Sequence, residues 1–191
     1  MRGYFGLGAE GISKAGNVGT ILRTGHAFGA SFVFTVNAVV DMKEVRRTDT
    51  SGGDEHVPFY EWGAVADMAL PQGCQLVGVE LTDDAAFLPS FRHPLRAAYV
   101  LGPERGSLSK AMVERCDHVV RIPTKFCVNV SVAAAVVMYD RMISLGRFAE
   151  RPVRSGGNTA PPPGHVHGRV KVRNKESLRM RPLLGDWEGD G

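Results

Sequence analysis

Short apolar runs alternating with stretches of helical period constrain this chain more than any other feature. Residues 4–9, 31–36, 75–80, 97–101 and 118–122 read as strands, rich in Val, Phe, Leu and Ala. Between or after them, 17–28, 61–70, 109–115 and 131–145 carry helical periodicity. Strands separated by helices make an α/β sheet, because helical connections are what carry a chain between strands of one sheet. Asn17 is placed to cap the first helix, with Gly29 ending it, and Gly146 reads as a left-handed stop for the last. On a helix starting at Asn17, Ile21, Thr24, Ala27 and Phe28 fall near one face while Arg23 projects elsewhere.

With 191 residues, 43% hydrophobic and 23% charged, the chain suits one globular domain plus an appendage. The longest strongly apolar run, 128–139, is interrupted by Asn129 and Ser131 and falls short of the roughly 20 residues a bilayer needs. The expectation is a soluble protein with no membrane partner. The first eight residues hold no apolar signal core, so nothing in them directs secretion. Cys74, Cys116 and Cys127 are too few and too scattered for a disulfide framework or a zinc set, which predicts a reducing cytoplasm and no metal.

Charge divides the chain at Arg151. Residues 151–191 hold 8 Lys/Arg against 4 Asp/Glu, leaving 15 against 16 in residues 1–150. That segment is rich in Pro and Gly, so 1–148 is expected to fold and 149–191 to form a basic, flexible extension. RNA contact and simple solubility are both open to it. His165 and His167 within it lack the further ligands of a metal site. The polar stretch 40–57 reads as a long irregular loop with Lys43, Arg46 and Arg47 clustered in it.

Gly6, Gly8 and Gly11 spell a dinucleotide-binding fingerprint. The helix starts too late, however, and the second strand ends at Val36-Asn37 without the acidic residue that would grip a ribose, so they read as glycines at a strand end and loop. Three other clusters are more informative. Asn17-Val18-Gly19 leads through Arg23 to Phe28-Gly29. Leu101-Gly102-Pro103-Glu104 follows a buried-looking strand, at the carboxyl end where α/β proteins usually bind ligands. Ile122-Pro123 is followed by Cys127-Val128-Asn129-Val130-Ser131-Val132-Ala133, where Asn129 or Ser131 can cap the apolar helix and Cys127 reads as a small apolar filler.

In this order and spacing, the three clusters resemble the three motifs of the SPOUT methyltransferases, specifically the SpoU branch that methylates the ribose 2′-oxygen of tRNA or rRNA. The resemblance spans roughly residues 4–145. It departs at Ser107, where relatives commonly carry glycine, and at Cys127, where they commonly carry serine. It implies a mostly parallel sheet with helices on both faces, a carboxyl-terminal deep trefoil knot, S-adenosylmethionine as cofactor, and a homodimer. No rule of chain topology would have suggested the knot.

By the same resemblance, Arg23 sits beside the ribose. Its guanidinium, which has N–H donors and no acceptor, suits holding a phosphate or a developing alkoxide better than taking a proton. Glu104 and Asn17 are expected to fix Arg23 and the substrate, and Asn129 and Ser131 to shape the site. Leu81, Gly102, Ile122 and Val128 are expected to line the cofactor site. Arg46, Arg47, Arg105, Lys125 and the tail are candidates for RNA phosphates. The implied activity is an RNA 2′-O-ribose methyltransferase. Small size and the lack of an amino-terminal RNA-binding domain lean toward tRNA over rRNA. A non-catalytic RNA-binding factor and a base methyltransferase are the alternatives.

Overall fold

The computed structural model describes residues 3–41, 43–45, 56–146, 148 and 155–156. The chain divides into two units, Met1–Arg147 and Phe148–Gly191, and the fold described below lies in the first. Arg46, Arg47, the two tail histidines and almost all of the basic extension lie outside the described residues.

Seven strands form one sheet: β1 (Tyr4–Glu10), β2 (Phe32–Val36), β3 (Phe59–Trp62), β4 (Gln75–Val79), β5 (Ala86–Phe87), β6 (Arg96–Leu101) and β7 (His118–Arg121). Their order is β3-β2-β1-β6-β4-β7-β5, and every neighbouring pair is parallel. The helices are α1 (Ala15–Phe28), α2 (Lys110–Arg115) and α3 (Val130–Leu145). Two 3-10 turns, Val65–Asp67 and Leu88–Ser90, follow β3 and β5, and residues 43–45, expected to belong to an irregular loop, are helical.

Side chains alternate across the sheet as a strand's two-residue period requires. From β1 and β6, Phe5, Leu7, Ala9, Ala97, Tyr99 and Leu101 share a core with Val18, Ile21 and Leu22 of α1 and with Ala134, Val137 and Met138 of α3. Their alternates Ala98 and Val100 join Phe32, Phe34, Met68 and Met112, the last from α2. Helices therefore cover both faces. Gly6 and Gly8 lie inside β1, rather than at its end, because rings from β2 occupy the space of their side chains. A Cβ on Gly6 would fall 2.2 Å from Phe32 Cε2, and one on Gly8 would fall 2.4 Å from Phe34 O.

Several sequence expectations are corrected. Residues 61–70 are not a helix: Trp62 stacks on Tyr60 and packs on Phe34, so the aromatic run pairs along the open edge of β2. Arg115 then holds the following turn through the carbonyls of Val65 and Met68. Helix α1 starts at Ala15, two residues earlier than expected, with Lys14 at its N-cap and no side-chain cap, so Asn17 is free for another role. Ala27 is exposed, and the buried side of α1 is instead Ala15, Val18, Ile21, Leu22 and Thr24. Gly29 ends α1 at φ 75°, as expected. Gly146, at φ −76° and ψ 159°, leaves α3 in extended rather than left-handed backbone.

One buried polar cluster ties α3 to the start of β6. Arg141, 2% exposed, donates to Pro94 O at 2.6 Å, Leu95 O at 3.1 Å and the Tyr99 hydroxyl at 3.1 Å. Because the Tyr99 oxygen accepts from Arg141, its proton goes to His93 Nδ1 at 2.7 Å. His93 is then the Nε2–H tautomer and donates to Asp140 Oδ2 at 2.9 Å. Burial holds the His93 pKa below its ordinary value, against the opposing hydrogen bond and charge of Asp140. Burial also pushes the Tyr99 hydroxyl up to about 12 despite Arg141.

Candidate functional site

In a parallel sheet all strands end on the same side, and ligands collect in crevices beyond those ends. Here the segments after β4, β6 and β7 and the start of α3 enclose a cavity of about 270 Å³. Leu81, Gly102, Ile122 and Val128 all line it, together with Val79, Leu101 and Val130. The polar contribution comes from Glu80, Glu104, Asn129 and Thr124.

The Glu104 carboxylate is held on both oxygens. Oε1 accepts from Lys14 N at 3.0 Å and Asn17 Nδ2 at 2.9 Å. Oε2 accepts from Ser13 N and Ser13 Oγ, both at 3.1 Å. Burial alone would raise its pKa, but the bonds from Asn17 and from backbone amides outweigh burial and leave it below the ordinary carboxylate value. Asn17, released from capping, uses both ends of its amide. While Nδ2 holds Glu104, its Oδ1 accepts from Asn129 Nδ2 at 3.3 Å. Asn129 in turn caps α3, its Oδ1 accepting from Ser131 N at 2.9 Å. Ser131 Oγ has one proton and lies 2.5 Å from Asn129 Oδ1 against 3.4 Å from Asn17 Oδ1, so it donates to Asn129.

Glu104, Asn17, Asn129 and Ser131 therefore form one hydrogen-bonded chain at the cavity rim, joining three segments remote in sequence. Arg23 is not part of it. It is exposed on α1, and among the described residues it has no hydrogen-bond or ion-pair partner. Arg105 is exposed on the loop after β6. Lys125 lines a neighbouring cavity of about 340 Å³ with Phe87 and Arg121, whose guanidinium stacks 4.2 Å over the Phe87 ring. Cys127 is an exposed free thiol at the cavity wall, not the buried filler its small size suggests.

The loop after β6 carries its strained backbone one residue before Ser107. Gly106 takes the positive φ, +105°, that an L side chain resists, and Ser107 lies exposed beside it. Glu80 Oε2 accepts from Leu108 N at 2.8 Å, and the buried Glu10 accepts from Ser109 N and Oγ at 2.8 and 2.6 Å. Sequence reasoning missed both of these carboxylates, as well as Ser13 and Lys14. The signal was available, since Glu10 and Glu80 each stand at the carboxyl end of a strand. Among the described residues, no group of His, Cys, Asp and Glu suits a metal ion, and no helix is long and apolar enough to cross a membrane.

Residues 5–139 match the family model described as the SpoU rRNA Methylase family. A protein of Staphylococcus aureus (strain COL), named as a TrmH family tRNA/rRNA methyltransferase, is 28% identical over 138 residues, covering 69% of this chain and 55% of that protein. The 23S rRNA (guanosine-2′-O-)-methyltransferase RlmB of Coxiella burnetii has the same identity and coverage. The chain thus spans about half the length of the curated relatives it matches. The solved structure of AviRb from Streptomyces viridochromogenes in complex with AdoMet superposes with a TM-score of 0.66 at 21% identity, over 77% of this chain and 60% of that one. At that identity the likeness carries the fold.

Proposed function

The chain belongs to the SpoU rRNA methylase family, and from that premise we propose that it is an S-adenosylmethionine-dependent RNA methyltransferase acting on a ribose 2′-oxygen. The observation that carries the reading is the convergence of the three motifs: Asn17, Glu104, Asn129 and Ser131 are bonded together beside a cavity lined by Leu81, Gly102, Ile122 and Val128.

The cavity fits the cofactor. A Cβ on Gly102 would stand 3.3 Å from Leu108 N and 3.5 Å from Glu80 Oε2, so its absence keeps open a cradle flanked by apolar walls and carboxylates. Apolar side chains and exposed backbone suit a purine, and carboxylates suit hydroxyls and positive charge. Leu81, Gly102, Ile122 and Val128 would hold the adenosyl part. When bound, the cofactor supplies a methyl group on a cationic sulfonium. Asn17 and Glu104 fix the start of α1 against the loop after β6, so the rim is rigid before RNA arrives. Arg23, exposed about one and two-thirds turns beyond Asn17 on the same helix, is available to hold a phosphate beside the reacting ribose and to stabilise charge developing on its 2′-oxygen. Arg46, Arg47, Arg105 and Lys125 extend the phosphate contacts.

The same reading includes the trefoil knot and the division into a domain at 1–148 and a basic extension at 149–191. It also includes a cytoplasmic homodimer. Val132, Val136 and Tyr139, three and four residues apart on α3, are exposed and form an apolar stripe that a second copy would cover. The relatives' names mention tRNA and rRNA together in one case and 23S rRNA in the other. We take tRNA as the first substrate to test and rRNA as the second.

The test is transfer of label from S-adenosylmethionine into total tRNA and, separately, total rRNA from a strain lacking the gene. Alkali-resistant dinucleotides in the product establish the ribose 2′-oxygen, while label recovered on a base points to the other chemistry. No transfer into either pool, with no cofactor binding by calorimetry, overturns the enzyme reading. In the Arg23→Ala variant, transfer is expected to fall while cofactor affinity stays unchanged.

A further inference from the structure

Two carboxylates line the cavity, and they differ in how much hydrogen-bonding capacity they have left. An ionised carboxylate offers about four acceptor positions, two on each oxygen. Glu104 has all of them filled, by Ser13 N, Ser13 Oγ, Lys14 N and Asn17 Nδ2. Glu80 accepts one bond on each oxygen, from Leu81 N to Oε1 and from Leu108 N to Oε2, both at 2.8 Å. Among the described residues, each of its oxygens therefore keeps a free acceptor position.

Glu80 immediately follows β4 at the carboxyl end of a central strand, and its Oε2 faces the space that Gly102 leaves open. The two amides that hold it also fix the orientation of its free lone pairs, so a ligand loses little entropy in aligning with them. A pair of parallel acceptors held rigidly in a cavity matches a pair of neighbouring hydroxyl donors.

We propose that Glu80 accepts the vicinal 2′- and 3′-hydroxyls of the adenosyl ribose, and is thus a cofactor-binding residue outside the three sequence motifs. The proposal rests on the cofactor reading above. It predicts an affinity that depends on the ribose hydroxyls only while the carboxylate is present.

The experiment is calorimetry with S-adenosylhomocysteine, which binds without turnover, and with its 2′-deoxy and 3′-deoxy forms. Native protein is expected to bind at least one deoxy form about 10- to 100-fold more weakly, the range for a hydrogen bond to a charged group. Glu80→Ala is expected to bind S-adenosylhomocysteine more weakly by a similar factor and to lose less than about threefold further with either deoxy form. Glu80→Gln, which keeps the volume, provides the same comparison if the alanine variant melts early. Variants that discriminate the hydroxyls as strongly as native protein, or that weaken all three probes alike while keeping the native ratios, overturn the proposal. So does native protein that binds all three equally, although the cofactor reading then stands. Native protein that binds neither S-adenosylhomocysteine nor S-adenosylmethionine overturns both.

Discussion

Asn17 donates to Glu104 at 2.9 Å across 87 positions of sequence, and turns its other amide atom to Asn129. One short side chain thus spans the junction between α1, the loop after β6 and the start of α3. Asn17→Ala is expected to cost about 1–2 kcal/mol, the usual range for a lost hydrogen bond that leaves partners behind. Asn17→Asp should cost more at neutral pH, because it sets one carboxylate against another, and should recover in acid as the pair takes up a proton. Urea midpoints of both variants, measured near neutral pH and near pH 4, would check this ordering, which predicts that only the Asp variant gains on acidification.

Acid stability should fall in two separate pH ranges. The folded pKa of His93 is lowered from 6.5 by burial, so the unfolded chain binds its proton first and stability declines as pH drops below about 6.5. The net effect at Glu104 is a pKa lowered from 4.5, so its contribution is present above about 4.5 and is lost as pH falls through the folded value. Urea midpoints taken from about pH 8 down to about pH 3 should show both declines. His93→Gln should flatten the upper one alone and Glu104→Gln the lower one alone. A native profile level through the upper range would contradict the buried neutral imidazole.

The glycines of β1 should behave differently under repair. Gly6→Ala drives a methyl into the Phe32 ring and is expected to cost about 2 kcal/mol or more, as overpacking does. Phe32→Leu in the same chain should restore part of that loss. Gly8→Ala meets a backbone oxygen, Phe34 O, as well as a ring, so Phe34→Leu should not rescue it. Thermal melts of the two single and two double variants would test the contrast.

Gly102→Ala should separate binding from folding. Its Cβ would meet Leu108 N at 3.3 Å and Glu80 Oε2 at 3.5 Å, close contacts that need only a small shift. The expected stability change is below about 1 kcal/mol. The expected loss of S-adenosylmethionine affinity is about tenfold or more, because the methyl group fills the cradle. Equal affinity in the variant, read by calorimetry, would remove Gly102 from the cofactor site.

The sequence was legible where a signal is local. The runs that become β1, β2, β4, β6 and β7 carry their own apolar pattern, and each appears within a residue of its expected bounds. What was missed depends on partners. β3 exists because β2 leaves an edge for Tyr60 and Trp62 to line, and the two-residue β5 exists because β7 passes beside it. The start of α1 was misplaced because Asn17 has the chemistry of a cap but is bonded to a residue far along the chain. In the site, the motif residues were found through resemblance, and four of them are bonded together. Glu80 belongs to none of the motifs, and its role depends on how many amides reach each oxygen, a count that only coordinates supply.

Parallel pairing throughout the sheet also bears on how the molecule is made. Tyr4 lies opposite Arg96, so β1, already beside β2, cannot gain its second neighbour until β6, far along the chain, has been synthesised. No hairpin is available among the described strands to nucleate the sheet, and long-range pairing of this kind folds slowly. The rim of the site closes later still, when Asn129 reaches Asn17. A nascent chain halted before α3 would therefore hold all seven described strands but lack Asn129 and Ser131, leaving the rim of the site open, and during that interval its exposed apolar surface would need shielding.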